Sequence, residues 1–212
     1  MKTAKWTLPI YSISLLATAL LYSRLPSRIP IHWNISGEVD RLGPRPMIFL
    51  LAALPFIIEA VFMVLPMLDP RKANYKKHER AYSALRIAVG MFMVSIHWVT
   101  MLYSLGSPVS VSLLVPMGVG ILFMVIGNFL PQVKPNWFVG IRLPWTLADD
   151  KVWKQTHRLG GWLFTILGVL TLASAIISPR VSFIVLLGGI VLLLATTVLY
   201  SLTLYRRSHS DT

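Results

Sequence analysis

Two ionisable residues lie within otherwise apolar sequence, where a charge is most costly. Glu59 lies near the middle of the apolar segment 47–68, and His97 lies inside the apolar segment 83–105. A carboxylate in a bilayer requires a partner or a proton, so we expect Glu59 and His97 to pair, or Glu59 to be protonated. This intramembrane polar pair would act either as a proton site or polar ligand pocket, or as a structural hydrogen bond between helices.

Both residues belong to a set of six long apolar segments that fill most of the 212-residue chain. A bilayer core about 30 Å thick needs roughly 20 apolar residues per helix, and each segment approaches that length. Only 13% of the residues are charged. We therefore predict an all-α integral membrane protein with one polytopic domain over residues 1–212, a short outer loop cap and an interfacial cytoplasmic helix. The predicted transmembrane spans are 6–23, 47–68, 83–105, 111–130, 159–178 and 181–204.

The basic residues, which give the chain a formal net charge of +12, are distributed unequally between the segments that join the spans. With the N-terminus inside, 15 of them lie on the inner side, Arg86 included, and 5 lie on the outer side. This asymmetry follows the positive-inside rule and places both termini in the cytoplasm. The inner basic segments are expected to attract anionic membrane lipids, and no direct binding of nucleic acid is predicted. Because the chain has no cysteine, disulfides and thiolate metal sites are excluded.

The outer segment Arg24–Pro46 contains the densest group of polar residues on that side. An alternating stretch at Pro30–Ile35 is followed by turn-forming residues, which predicts a small β-hairpin. His32, Glu38 and Asp40 form an incomplete ligand set, so neither a metal nor another cofactor is predicted. Arginine and tryptophan are common binding anchors, so this loop would act either as the first contact of an extracellular ligand or peptide, or as a structured cap whose polar groups satisfy one another and water. The candidate ligand-binding residues are His32, Trp33, Asn34, Gly37, Glu38, Asp40, Arg41 and Gly43.

The inner segment Pro131–Arg158 begins with helix-breaking prolines and then carries a helix-start pattern from Thr146 to Asp149. We predict a capping-box variant there, followed by a short helix over Leu147–His157. Three tryptophans in this segment favour a position in the membrane interface. The candidate partner-binding or interfacial residues are Asn136, Trp137, Gly140, Arg142, Pro144, Trp145, Thr146, Trp153, Thr156, His157 and Arg158.

Two stretches of the chain carry recognisable motifs. The outer loop has the pattern Pro-x-His-x-Asn-x-x-Gly-x-x-Asp-x-x-Gly from Pro30 to Gly43, and the inner loop has a longer signature from Lys134 to Gly160. Both stretches resemble the SdpI-type immunity protein family of Gram-positive bacteria. The resemblance implies a multi-pass protein of the bacterial plasma membrane. It also implies protection of the producing cell against a secreted antimicrobial peptide toxin. A further implied role is that of a membrane receptor that sequesters a cytoplasmic transcriptional repressor.

A second function remains open beside immunity, because Glu59 and His97 match no motif of that family. A proton-coupled transporter of small molecules or peptides would use these two residues, and Glu59→Gln would abolish its transport. An enzyme is not predicted, since the sequence shows no spacing typical of a Ser/His/Asp triad, a metal-binding helix or a phosphate-binding glycine loop.

Overall fold

Six long helices form the body of the molecule in the computed structural model, which describes residues 4–209. All six are long and apolar enough to cross a membrane, and the chain is an all-α, multi-pass membrane protein, as predicted. Residues 1–3 and 210–212, which the predicted domain includes, lie outside the described residues. The long helices are α1 (Ala4–Leu21), α2 (Met47–Leu68), α4 (Glu79–Ser104), α5 (Val111–Phe129), α7 (Asp150–Ile177) and α8 (Pro179–Ser208).

Short elements connect the long helices. An antiparallel hairpin of β1 (Arg28–Trp33) and β2 (Val39–Pro44) separates α1 from α2, which confirms the predicted hairpin. Single turns of 3₁₀-helix follow α1 and α5. Two one-turn helices, α3 (Ala73–Lys77) and α6 (Pro144–Ala148), lie at the end of the molecule opposite the hairpin. They belong to the connections from α2 to α4 and from α5 to α7.

The predicted separation of a short helix over Leu147–His157 from a span at 159–178 is wrong. Helix α7 runs without interruption from Asp150 to Ile177. Its N-cap is Asp149, whose carboxylate accepts the backbone N–H groups of the second and third residues after it. Thr146, expected to start the helix, lies inside α6 instead. The polar first turns of α7 therefore extend a membrane helix rather than forming a separate one.

The long helices form two groups of three, with α1, α2 and α4 in one and α5, α7 and α8 in the other. Helices α5 and α7 approach each other most closely, through glycines at matching heights. A Cβ atom on Gly168 would lie 2.6 Å from the carbonyl oxygen of Gly120, and one on Gly161 would lie 2.7 Å from that of Gly127. Small residues let two helix backbones approach closely, and the resulting van der Waals contacts drive helix association in lipid, where a hydrophobic driving force is missing.

The two ends of the molecule carry different caps. On one side, the hairpin cap (residues 28–44) covers the ends of α1 and α4 and the start of α2, over a buried cluster of Leu25, Ile29, Ile48 and Met101. On the other side, where α1 begins and α8 ends, the signature cap consists of residues 69–78 and 133–149. We call these two ends the hairpin side and the termini side.

Candidate functional site

Glu59 is buried in the first helix group, but its partner is not His97. One carboxylate oxygen, Oε1, lies 3.5 Å from Nη1 of Arg86, and both side chains are only 2% exposed. Arg86 belongs to α4, although the charge analysis counted it among the inner connecting residues. Tyr11 of α1 packs beside Gly90, one turn along α4 from Arg86. The buried carboxylate is therefore neutralised by a cation from the neighbouring helix, which limits the cost of its burial.

His97 has a different partner and lies at a different depth. Its Nε2 atom is 2.8 Å from Oγ1 of Thr18 in α1. The next residue of α4, Trp98, donates its indole N–H at 2.8 Å to Oγ of Ser14, which lies one turn before Thr18 on α1. A polar stripe of α1 therefore faces α4, and this histidine joins those two helices.

The predicted pairing of Glu59 with His97 is wrong because their depths were misjudged. Glu59 lies nine residues from the end of α2 at Leu68, and Arg86 lies seven residues from the start of α4 at Glu79. These positions correspond to roughly 14 and 11 Å along the helix axes, at 1.5 Å per residue. His97 lies roughly 27 Å along α4 by the same measure. Counting each residue from the connection that α2 and α4 share would have identified Arg86 as the partner.

The turn of the hairpin cap is organised by Asn34. Its side-chain oxygen accepts the backbone N–H groups of Ser36 and Glu38, and its side-chain nitrogen donates to the Glu38 carboxylate at 2.9 Å. Gly37 has a φ angle of +81°, and its Cα packs against Ser112 at the start of α5. A side chain at this position would be strained and would also meet Ser112. The turn is thus fixed while its polar side chains remain exposed.

The strands of the hairpin cap present charges to solvent. Nδ1 of His32 lies 2.6 Å from Oδ1 of Asp40 across the strands, with 61% and 44% of the two side chains exposed. Neighbouring Arg41 is also exposed, whereas Gly43 is buried against Ile31 and Met47. Among the described residues, no three His, Asp or Glu side chains are grouped in a way that would hold a metal ion.

Two clefts flank the hairpin cap. A cleft of about 670 Å³ is lined by Arg28, Asp40 and Arg41 together with Tyr103 of α4. A second cavity, of about 320 Å³, lies between the turn and the first residues of α5 and α8, with Trp33 in its wall. The ring of Trp33 also meets the ring of Tyr103 edge-on. The structure thus groups the predicted outer-loop residues around one exposed, charged surface with an apolar recess beside it.

The signature cap has the opposite character, because its central polar residue is fully buried. Oδ1 of Asn136 accepts the backbone N–H groups of Phe138 and Val139, and its Nδ2 donates to the carbonyls of Lys134 and Val139. The side chain is 0% exposed. Asn136 therefore holds the loop in shape by supplying the hydrogen bonds that a buried backbone needs.

Residues 69–78 hold this loop from the other side, and their role was not predicted. The buried carboxylate of Asp69 accepts hydrogen bonds from the hydroxyl of Tyr75 and from the backbone N–H of Trp137. Burial, and then the hydrogen bond to Asp69, raise the pKa of Tyr75 well above its ordinary value. Burial lowers the pKa of His78, whose Nδ1 accepts the backbone N–H of Lys134.

His157 fastens the loop to α7. Its Nε2 atom accepts the backbone N–H of Ile141 at 3.1 Å, so the proton of the neutral ring must lie on Nδ1, which donates to the carbonyl of Trp153 at 2.9 Å. The two rings stack with centroids 4.0 Å apart. Gly140, with a φ angle of +120°, passes directly over the imidazole. Only glycine provides both this backbone angle and this clearance.

Thr146 and Trp145 complete the signature cap. The hydroxyl of Thr146 accepts the backbone N–H of Leu143 and lies 2.9 Å from the carbonyl of Ile141. The indole N–H of Trp145 donates to Oγ of Ser201 in α8 at 2.7 Å. The loop is thereby connected to the last helix as well as to α7.

The structure divides the predicted inner-loop residues into two classes. Asn136, Thr146, Trp153, Thr156 and His157 are at most 1% exposed, so they cannot touch a separate protein. Trp153, one of the three tryptophans of the segment, packs inside the protein and does not face lipid. The exposed members are Trp137, Arg142, Pro144 and Arg158, while Gly140 and Trp145 are half-buried.

The comparisons with known proteins match the two caps to two different family models. The model of the SdpI/YfhL protein family matches residues 132–201, which include most of the signature cap, α7 and much of α8. A second model, the domain of unknown function DUF1648, matches residues 10–57, which include the hairpin cap. Immunity protein SdpI of Bacillus subtilis (strain 168) is 29% identical over 199 residues, covering 92% of this chain and 91% of that protein. No solved structure matches the chain significantly.

The residues of the family signature are thus those whose hydrogen bonds shape the termini side. Similarity to the Bacillus protein continues beyond them through both helix groups. The chain therefore resembles the SdpI/YfhL protein family over residues 132–201 and Immunity protein SdpI of Bacillus subtilis along nearly its whole length.

Proposed function

We propose that this protein is an immunity protein, which protects the cell that makes it from a secreted antimicrobial peptide toxin. Its similarity to Immunity protein SdpI along nearly the whole chain supports this function. The observation that carries the proposal is the hairpin cap, whose polar side chains are fixed by one another and remain exposed. A preorganised, charged surface beside an apolar recess suits recognition of an amphipathic peptide.

The proposed orientation places the hairpin cap outside the bacterial plasma membrane and both termini in the cytoplasm. The basic residues support it, because most of those outside the helices' apolar parts lie on the termini side. A toxin arriving from outside would then meet the hairpin cap first. Fusing a reporter that folds only in the cytoplasm to the C-terminus tests this orientation, and a reporter active only outside would overturn it.

The proposed contact is the face of the hairpin formed by His32, Asp40 and Arg41. The side chains of His32 and Asp40 form a hydrogen bond across the strands, and both are exposed to solvent. Arg28 and Arg41 line the adjoining cleft, which gives this face cations for an acidic or carbonyl-rich segment of a peptide. Trp33 and the apolar cavity would receive a hydrophobic side chain of the same peptide.

Survival of cells exposed to the peptide encoded nearest to the gene tests this function. Cells that express the wild-type protein should survive, and cells with His32→Ala and Asp40→Ala should not. A matched control is Arg180→Ala, an exposed residue on the same side but outside the hairpin cap, which should preserve survival. Western blots of the membrane fraction establish equal amounts. Killing of all strains despite equal amounts would contradict the immunity function.

A cytoplasmic repressor is the second partner that we propose, bound at the exposed part of the signature cap. Trp137 is 49% exposed, and Arg142 and Pro144 lie beside it at the surface. Arginine and tryptophan are common anchors of protein interfaces. A regulator encoded beside the gene should sediment with wild-type membranes and remain soluble with Trp137→Ala and Arg142→Ala. Equal sedimentation would exclude this surface.

A proton-coupled transporter is the alternative function, and the buried Glu59 is the observation that favours it. Its two carboxylate oxygens accept no hydrogen bond from the described residues, although Arg86 lies within ion-pair distance. Such intramembrane acids are common in proton pathways. If transport is the function, Glu59→Gln should abolish it in proteoliposomes. A variant that still transports would exclude this role for Glu59.

A further inference from the structure

Arg158 is a residue of the signature that the proposed function does not use. Its neighbours in the signature, Thr156 and His157, are fully buried, whereas Arg158 is exposed on the outer face of α7. Among the described residues, its side chain forms no hydrogen bond or ion pair. An exposed cation near the end of a membrane helix is placed where it can meet anionic lipid headgroups.

Lys154 lies one helical turn before Arg158 on the same face of α7. It too is exposed and forms no hydrogen bond or ion pair among residues 4–209. The acidic residue one turn before Lys154, Asp150, pairs with Arg71 at 3.2 Å. Residues four apart on a helix are neighbours, so the two cations present one joint positive site.

A cleft of about 500 Å³ opens beside these two cations, between α5 and α7. Its walls include Gly127 and Gly161, where the two helices are in close contact, together with Pro131 and Thr165. Trp162, one turn beyond Arg158, borders the cleft and is 65% exposed. The cleft therefore runs from two cations toward an aromatic ring on a lipid-facing surface.

We propose that this cleft is a binding site for one anionic phospholipid. The phosphate lies between Lys154 and Arg158, and an acyl chain follows the groove past Trp162. The order along the helix supports this occupant, since cations, then an indole ring, then apolar residues match the order of headgroup, interface and hydrocarbon in a leaflet. On the orientation proposed above, the site faces the cytoplasmic leaflet, where α7 enters the membrane.

Lipid selection by the detergent-solubilised full chain tests the proposal. Equimolar phosphatidylglycerol and phosphatidylcholine are added, and native mass spectrometry measures the ratio of the two complexes. The wild type should prefer phosphatidylglycerol. Neutralising one cation should weaken this binding about fivefold, and Lys154→Gln with Arg158→Gln about thirtyfold, at about 1 kcal/mol for each cation. No preference in the wild type would overturn the site.

A matched control separates this site from the general positive charge of the termini side. Lys151→Gln with Arg206→Gln removes two exposed cations from the same side and leaves the cleft intact. The control should keep the wild-type preference, and an equal loss in both double variants would overturn the proposal. If the Lys154/Arg158 double variant does not fold, the two single variants replace it, and wild-type binding in both would have the same consequence.

The source of the phosphate is tested separately. Glycerol 3-phosphate in excess should leave the phosphatidylglycerol complex intact, because it lacks the chain that fills the groove. Its displacement of the lipid would overturn the proposal in favour of a soluble phosphate ligand. Trp162→Ser should weaken phosphatidylglycerol binding without changing the response to glycerol 3-phosphate, and unchanged lipid binding in that variant would contradict the proposed path of the chain.

Discussion

The two caps use the same side chain, asparagine, in opposite ways. Asn34 in the hairpin cap and Asn136 in the signature cap both accept two backbone N–H groups from residues that follow them. Asn34 remains exposed, whereas Asn136 is 0% exposed and is surrounded by its own loop. On the termini side, central residues of the longer signature therefore hold their own loop in shape. The hairpin cap instead carries exposed charges on a fixed turn, and it is the surface that we propose for ligand binding.

Replacing each asparagine by alanine should break this comparison most strongly. Asn136→Ala leaves buried backbone donors and acceptors without partners, so we expect a loss of about 3 kcal/mol in the free energy of unfolding. Asn34→Ala should cost about 1 kcal/mol or less, because water replaces the lost hydrogen bonds. Thermal unfolding of the two purified variants in one detergent measures the difference. Equal losses would show that burial does not distinguish the two caps.

Acid should weaken the signature cap through His78. Because burial lowers the pKa of this residue, the unfolded chain takes up a proton at a higher pH than the folded protein does. Stability from His78 is therefore complete above a pH of about 6.5, its unfolded value, and is lost as the pH falls below it. The loss grows until the pH reaches the lowered pKa of the folded state, below which both states bind the proton and the loss increases no further.

The variant His78→Asn tests this acid response. Asparagine retains an acceptor for the backbone N–H of Lys134 but carries no titrating group. Unfolding temperatures measured between a pH of about 7 and about 5 should fall less steeply for the variant than for the wild type. Parallel curves would assign the acid sensitivity to other groups.

The connection between the signature cap and α8 should have a smaller effect. Trp145→Phe and Ser201→Ala each remove one side of the hydrogen bond from the indole N–H to the serine hydroxyl. We expect a coupling energy of about 1 kcal/mol from the two single variants and the double variant. Additive losses would show that the cap and the last helix are energetically independent at this contact.

Much of the fold follows from the sequence, because apolar length identifies spans and turn residues identify the hairpin. The continuity of α7 did not follow, since its polar first turns suggest a separate short helix. In the structure, Gly160 and Gly161 of this continuous helix admit Ile141 and Pro131, which pack against it. Burial of Asn136, Thr146 and His157 was also missed, because each bonds to backbone groups and the sequence gives no local pattern for such contacts. Arg86 could have been predicted as the partner of Glu59, because the two residues lie at similar distances from the connection between α2 and α4.

The smallest change in stability, with the largest change in function, is expected for Asp40→Asn. The carboxylate contacts His32 at the surface, where such a pair contributes less than about 1 kcal/mol, so the unfolding temperature should barely change. Protection from the toxin should nevertheless fall, because the substitution removes a charge from the face proposed to meet the peptide. Survival curves and thermal unfolding on the same variant separate the two effects. Full protection by a stable Asp40→Asn protein would move recognition away from this face and toward the apolar cavity beside Trp33, which lies next to the hairpin turn.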